Sequence, residues 1–353
     1  MPPRPRPRRA AALSVSGVVA IGVLAGCGGS SESPPEPSPG DPEQATSGAR
    51  PELGAWHRLV SFPGGDGVLL VNGYPETEPG TEPLELWRWD GEGWRELPAD
   101  DGPSGRNFAA VAVDHDRGAL VLQGGQTATG TSSETWEWIG SAWRLVATHG
   151  PGPRVAAEMA YDAAAGRMLL YGGDGGSMTL KRDTWAWNGD TWAQVATAGP
   201  TPVRFPAMMA YDEQRREVVL YGGHQVADEQ APPALGDTWV WSDGTWRLAE
   251  ARSAPGVLVN AAGLSHPDLG LLLVGGSDFD DETGEIWQWT GRSWRSLGSD
   301  VIPRRQAFGL ALDPGRDVVV LTGGVVEPGS VERHQDVWEW DGDPAHPAQA
   351  VRE

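Results

Sequence analysis

Cysteine occurs once in the 353 residues, at Cys27, and lysine once, at Lys181. A single thiol excludes a disulfide framework. The histidines number seven, and no two of them stand at metal-ligand spacing. Nucleophile-elbow, catalytic-cysteine and P-loop signatures are missing. No apolar run reaches the length of about 20 residues that a spanning helix needs. Bases are also scarce: the formal net charge is -21, and the only acid-free stretch of note is 1–26, with Arg4, Arg6, Arg8 and Arg9. A body this acidic repels phosphate backbones, which excludes nucleic acid as a partner. The near-total replacement of lysine by arginine, with abundant Ala, Gly and Pro, suggests a GC-rich bacterial genome.

The chain opens with those arginines, followed by a small, apolar stretch, Ala10 to Gly26, that ends in Leu24-Ala25-Gly26-Cys27. This is the layout of an export signal. The last four residues resemble the lipobox of bacterial lipoproteins at all four positions. The resemblance implies cleavage before Cys27 and lipid attachment to it. It would also explain a lone cysteine in an exported chain; the alternative is an ordinary signal peptide with an incidental cysteine. The Arg8-Arg9 pair is shared with twin-arginine signals, but the rest of that motif is missing. Residues 28–52 are Gly, Ser, Pro and Glu without apolar periodicity, the composition of a tether. The expected division is therefore a signal peptide over 1–26, a lipidated Cys27 with its linker over 27–52, and a folded body over 53–353.

What the body does have is glycine pairs and tryptophan. Apolar runs close on a glycine pair beginning at Gly124, Gly172, Gly222, Gly275 and Gly323, and a degenerate copy ends in Asn72-Gly73. The copies recur at intervals of about 50 residues. After each comes a variable loop, an acid (Glu85, Glu134, Asp183, Asp237, Glu285, Asp336), and Trp-x-Trp. A further tryptophan follows a short turn in five copies, so that of the 18 tryptophans only Trp56 falls outside the register. Each unit reads as four short strands separated by turn signals. Two tryptophans at i and i+2 share one face of a strand.

Six such units predict an all-β fold, a six-bladed β-propeller of four-stranded antiparallel blades. The repeat resembles the kelch family and the central propeller of galactose oxidase over residues 54–345. The tryptophans are expected to fill the interfaces between blades, with stacking on a sugar as the alternative. Ring closure is open to two readings of Trp56-His57-Arg58-Leu59. It can supply the outer strand missing from the last blade, or the first strand of blade one; counting back from Asn72-Gly73 favours the latter.

Strand order places the loops after strands two and four on one rim, and the longest, most variable loops follow strand two. An arginine enters the first strand of four blades on this rim: Arg106, Arg154, Arg204 and Arg305, each with an aspartate eight residues on (Asp114, Asp162, Asp212, Asp313). Counting from the glycine pairs puts Gly54 and Val257 in their place in blades one and five. The arginines can ring the channel mouth and hold an anionic or polyhydroxyl ligand, or pair with the acids that open the third strands. His224 and His334 lie in the same loops and join the candidate ligand site. Asp278, Asp280 and Asp281 crowd one loop, weak candidates for calcium or simply a solvated acidic turn.

The galactose oxidase resemblance would imply a copper radical site, but its Tyr–Cys crosslink needs a cysteine within the propeller, and Cys27 precedes it. The expectation is therefore a non-enzymatic scaffold without cofactor, monomeric, anchored outside the bacterial cell membrane and binding a surface protein or cell-envelope carbohydrate. The rival is a carbohydrate-active enzyme of glycosidase or sugar mutarotase type, with carboxylates and arginines at the channel mouth. That rival needs a buried acid of perturbed pKa near the channel.

Overall fold

The structure, a computed structural model, describes residues 50–53, 57–63, 65–73, 82–99, 101–176, 179–225, 234–325 and 333–351. Cys27, the tether up to residue 49 and Trp56 lie outside the described residues, as do parts of the long loops.

Six four-stranded antiparallel sheets follow one another along the chain. Their innermost strands are β1 (Arg58–Ser61), β5 (Ala110–Asp114), β11 (Glu158–Asp162), β15 (Met208–Asp212), β19 (Ala262–His266) and β23 (Phe308–Asp313). These pack side by side around a central channel, and β1 returns to β23. The second strands are buried along nearly their whole length, and β6 (Ala119–Gln123) and β16 (Glu217–Tyr221) at every residue. Each is covered on both faces by neighbouring blades, which is why they read as continuous apolar runs rather than alternating ones. Among the described residues, blade two alone carries an extra two-stranded hairpin, β7 (Gln126–Thr127) with β8 (Gly130–Thr131).

The glycine pairs are explained by close approach. Gly222 has φ +70°, and a Cβ there would come within 2.4 Å of the Leu258 carbonyl oxygen of the next blade; Gly124 stands in the same relation to the Arg154 carbonyl. The second glycine then bonds that neighbour: Gly125 N–H donates to Arg154 O at 2.9 Å and Gly223 N–H to Leu258 O at 2.8 Å. Only glycine permits both the left-handed backbone and the contact.

Tryptophan fills the interfaces. The second and third tryptophans of a blade are cross-strand partners, as in Trp187 opposite Trp192, with ring centroids 5.5 Å apart. Both also reach the preceding blade. Trp187 Nε1 donates to Glu137 at 2.8 Å and Trp192 Nε1 to the Thr135 hydroxyl at 2.9 Å. Trp246 repeats the second bond to Thr184, and Trp294 to Thr238. Large aromatics of this kind each remove roughly 150–250 Å² from water, and their indole N–H groups fix the blades in register. The second and third tryptophans of the blades therefore have a structural role at the interfaces.

The ring closes without an exchanged strand. β1 is the first strand of blade one, and the outer strand of blade six is β26 (Gln349–Val351), paired with β25 (Val337–Trp340). That last strand holds no tryptophan, so its place was invisible to the repeat pattern.

Candidate functional site

The four arginines enter their blades buried, from 1% exposed (Arg154, Arg305) to 3% (Arg106). Each donates to the carbonyl of the first glycine of its own blade, for example Arg154 to Gly172 O and Arg305 to Gly323 O, both at 2.8 Å. Each also grips the acid that opens the third strand: Arg106 with Glu134 at 3.0 Å, Arg154 with Asp183 at 3.1 Å, Arg204 with Asp237, and Arg305 with Asp336 at 3.0 Å. The same acids accept the indole N–H two residues further on, from Trp185 to Asp183 at 2.7 Å and from Trp239 to Asp237 at 2.8 Å. Burial alone would raise the pKa of Asp183, Asp237 and Asp336; the bonds from arginine and tryptophan outweigh it and hold all three below the usual range. Glu134 is held low likewise. This is the pairing arrangement, in which the guanidinium groups lock each blade together rather than ring an open mouth. The aspartates eight residues on end the first strands, and three of them pair with an arginine three residues further on: Asp114 with Arg117 at 3.4 Å, Asp212 with Arg215 at 2.9 Å and Asp313 with Arg316 at 2.6 Å.

Blade five corrects the count. The turn between β19 and β20 (Gly270–Val274) is one residue shorter than that between β11 and β12 (Arg167–Tyr171). The residue at the arginine position is therefore Leu258, whose carbonyl accepts from Gly223, and not Val257. Val257 instead stands 44% exposed on the rim.

On the same rim, blades four and five bring three rings together. His224 follows the glycine pair of blade four and pairs through its backbone with Phe205, the residue after Arg204. Its ring lies 5.2 Å from that of Phe205 at 45° and 5.8 Å from that of Phe279, in blade five, at 68°. Phe279 is 41% exposed and sits at φ +80°, a backbone conformation that side chains other than glycine rarely adopt. His224 Nδ1 is buried without a hydrogen-bond partner among the described residues, and burial lowers the pKa of the ring, which favours neutral imidazole. The three rings thus form an apolar cluster with one polar atom unmatched among the described residues.

His334 lies two blades away. Its N–H donates to Gly324 O at 2.9 Å; burial and the charge of Arg305 lower its pKa against the pull of Asp336. It does not join His224. Asp278 is spent on its own turn, with Oδ1 accepting from the amides of Asp280 and Asp281 at 3.0 and 2.9 Å. The three aspartates do not converge, and among the described residues no three His, Cys, Asp or Glu side chains are placed to share a metal ion.

Sequence reasoning placed His224 but missed Phe205 and Phe279. The available signal was a phenylalanine inside the acidic stretch Ser277-Asp278-Phe279-Asp280-Asp281, where solvation alone calls for none. It also missed Arg58 and Glu158, which share one level of the channel wall. Val71, Gln123, Tyr171, Tyr221, Val274 and Thr322 each end the run before the glycine position, and their partners on the innermost strands are Arg58, Ala110, Glu158, Met208, Ala262 and Gly309.

No protein-family model and no curated protein matches the sequence. Among solved structures, one titled "Structure of YjhT" superposes with a TM-score of 0.62 at 13% identity, covering 86% of this chain and 99% of its own. The likeness establishes the six-bladed propeller and nothing finer.

Proposed function

We propose that the protein is a kelch-type binding propeller held outside the cell membrane by lipid on Cys27, and that its loop rim receives a neutral carbohydrate of the cell envelope. The observation that carries this reading is His224 between Phe205 and Phe279. A pyranose ring has an apolar face of C–H groups that suits the negative face of an aromatic ring, and its hydroxyls suit the unmatched Nδ1. Sites of this kind pair apolar lining with a few placed polar groups. The tether supports the choice of source. Leu53 N–H donates to Gln335 Oε1 at 2.9 Å, just before β25, so the chain enters on the loop rim. A lipid at Cys27 therefore leads to the rim that carries the aromatic face, and presents it to the cell's own envelope.

The enzymatic rival has weaker support. Burial does raise the pKa of one channel acid, Glu158, but the charge acting on it is that of Arg58, not the second carboxylate of a glycosidase pair.

Affinity electrophoresis through gels containing envelope polysaccharide tests the binding reading. Wild type is retarded, while Phe279→Ala and His224→Ala each lose about tenfold in affinity, or about 1.4 kcal/mol. Equal retardation of all three would reject it. Cys27→Ala tests the anchor separately: the variant is released from membranes or stays unprocessed, and equal membrane retention would count against lipidation.

A further inference from the structure

Symmetry in a repeat fold makes departures informative. At the channel level just described, four of the six innermost strands carry Ala, Met, Ala and Gly. Two carry a charged group: Arg58 on β1 and Glu158 on β11, two blades apart. Small or apolar residues satisfy the packing at this level, so neither charge is there for the fold.

Neither group has a salt-bridge partner among the described residues. Arg58 is half-buried and enters no hydrogen bond or ion pair with a described residue. Glu158 Oε1 accepts the amide of Ala207, from blade four, at a long 3.3 Å, and Oε2 has no partner among the described residues. The two are near enough for the charge of Arg58 to act on Glu158 and too far apart to form a salt bridge. Crowding by protein pushes the carboxyl pKa up, against Arg58 and the Ala207 amide. An unpaired charge enclosed by protein costs stability, and a fold with four apolar solutions at hand has no structural reason to keep two of them.

We propose that the central channel is a binding site for a small zwitterion, whose carboxylate meets Arg58 and whose ammonium meets Glu158. The site is distinct from the aromatic face on the rim. Guanidinium presents a planar fork that matches a carboxylate in two parallel bonds. Glu158, with one oxygen already turned to Ala207, offers its other oxygen to a donor. A ligand with both charges leaves the channel neutral, as the protein pair does, and replaces two unpaired groups with two matched ones. A simple anion would leave Glu158 unmatched, and a simple amine would leave Arg58 unmatched.

The homologous series glycine, beta-alanine, gamma-aminobutyrate and epsilon-aminocaproate acts as a ruler for the gap. Calorimetry or ligand-observed NMR is run on the folded propeller, with butyrate and butylamine as controls. The expected result is binding of at least one member, at least tenfold tighter than either control, and lost at least tenfold in both Arg58→Met and Glu158→Gln. Binding should also weaken as the pH falls through the raised pKa of Glu158, and this dependence should vanish in Glu158→Gln. Glu158→Gln, alone or combined with Arg58→Met, should melt at or above the wild-type temperature, since it removes the enclosed carboxylate, whereas Arg58→Met alone takes away the charge that acts on it. Three results would overturn the proposal: no member binds at millimolar concentration, binding survives both substitutions, or Glu158→Gln melts well below wild type and so shows a structural role. None of these bears on Phe279, so the rim reading stands or falls separately.

Discussion

Gly309 N–H donates to Nε2 of His57 at 3.2 Å, and this contact joins the first described strand of the propeller to its last blade. His57 is 1% exposed, and a Cβ on Gly323 would overlap its ring. Around it, the Ser61 hydroxyl donates to Leu312 O at 2.7 Å and Gly67 N–H to Asp313 at 2.9 Å. Among the described residues no blade is shared between the two ends of the chain, so these bonds, that of Trp89 Nε1 to Glu339 at 2.9 Å and the packing of β1 on β23 carry the closure.

His57→Ala should therefore cost more than a typical histidine truncation, about 2–4 kcal/mol, from one unmatched amide and a cavity at the seam. Chemical denaturation measures it. A loss below about 0.5 kcal/mol, the scale of ordinary surface changes, would show that the seam does not depend on the imidazole.

The buried arginines separate folding from binding. Replacing Arg154 and Arg204 together by alanine leaves Asp183 and Asp237 without their cations, at about 3–5 kcal/mol for each broken pair. The melting temperature should fall sharply, while the fraction that remains folded binds polysaccharide as wild type does. Unchanged melting with lost binding would return the arginines to the ligand site.

The same pairs set an acid limit. The folded-state pKa values of Glu134, Asp183, Asp237 and Asp336 lie below their ordinary values. Their contribution is therefore complete above the unfolded carboxyl range of about 4 and is lost as pH falls through the lower, folded values. Unfolding free energy should be nearly flat from neutral pH to about 5 and drop below about 4. Asp237→Asn should lower the plateau and shallow the drop. A loss of stability on raising the pH instead would contradict the pairing.

Two glycines with similar backbones test the close-approach argument. Gly222 (φ +70°) lies against the Leu258 carbonyl, whereas Gly244 (φ +79°), in the turn before β18 (Thr245–Ala249), has nothing within 4 Å of a built Cβ. Gly244→Ala carries only the left-handed penalty, roughly 1–2 kcal/mol. Gly222→Ala adds a clash with backbone and should cost several times as much or prevent folding. Equal costs would leave the glycine pairs unexplained.

The blades were legible in the sequence because glycine pairs and tryptophans answer to constraints that recur from blade to blade: the close approach of the next blade, as at Gly124 and Gly222, and an interface to fill. The choice of β1 as an inner strand followed from counting alone. Val257 was misplaced because one residue fewer in the β19–β20 turn shifts the count without leaving any other mark. Phe279, Arg58 and Glu158 were missed for a different reason. Their meaning lies in which residues face them from other blades, and strand register, not sequence distance, decides that. His224 stood out by residue type, but its neighbours Phe205 and Phe279 come from separate blades and meet only in three dimensions.

The most direct test of the binding reading is a crystal structure of the propeller with an oligosaccharide cut from the cell envelope. The account predicts a pyranose ring stacked on Phe279 or Phe205, with a hydroxyl at His224 Nδ1. Sugar bound at the short turns of the opposite rim, with the three rings left bare, would contradict it.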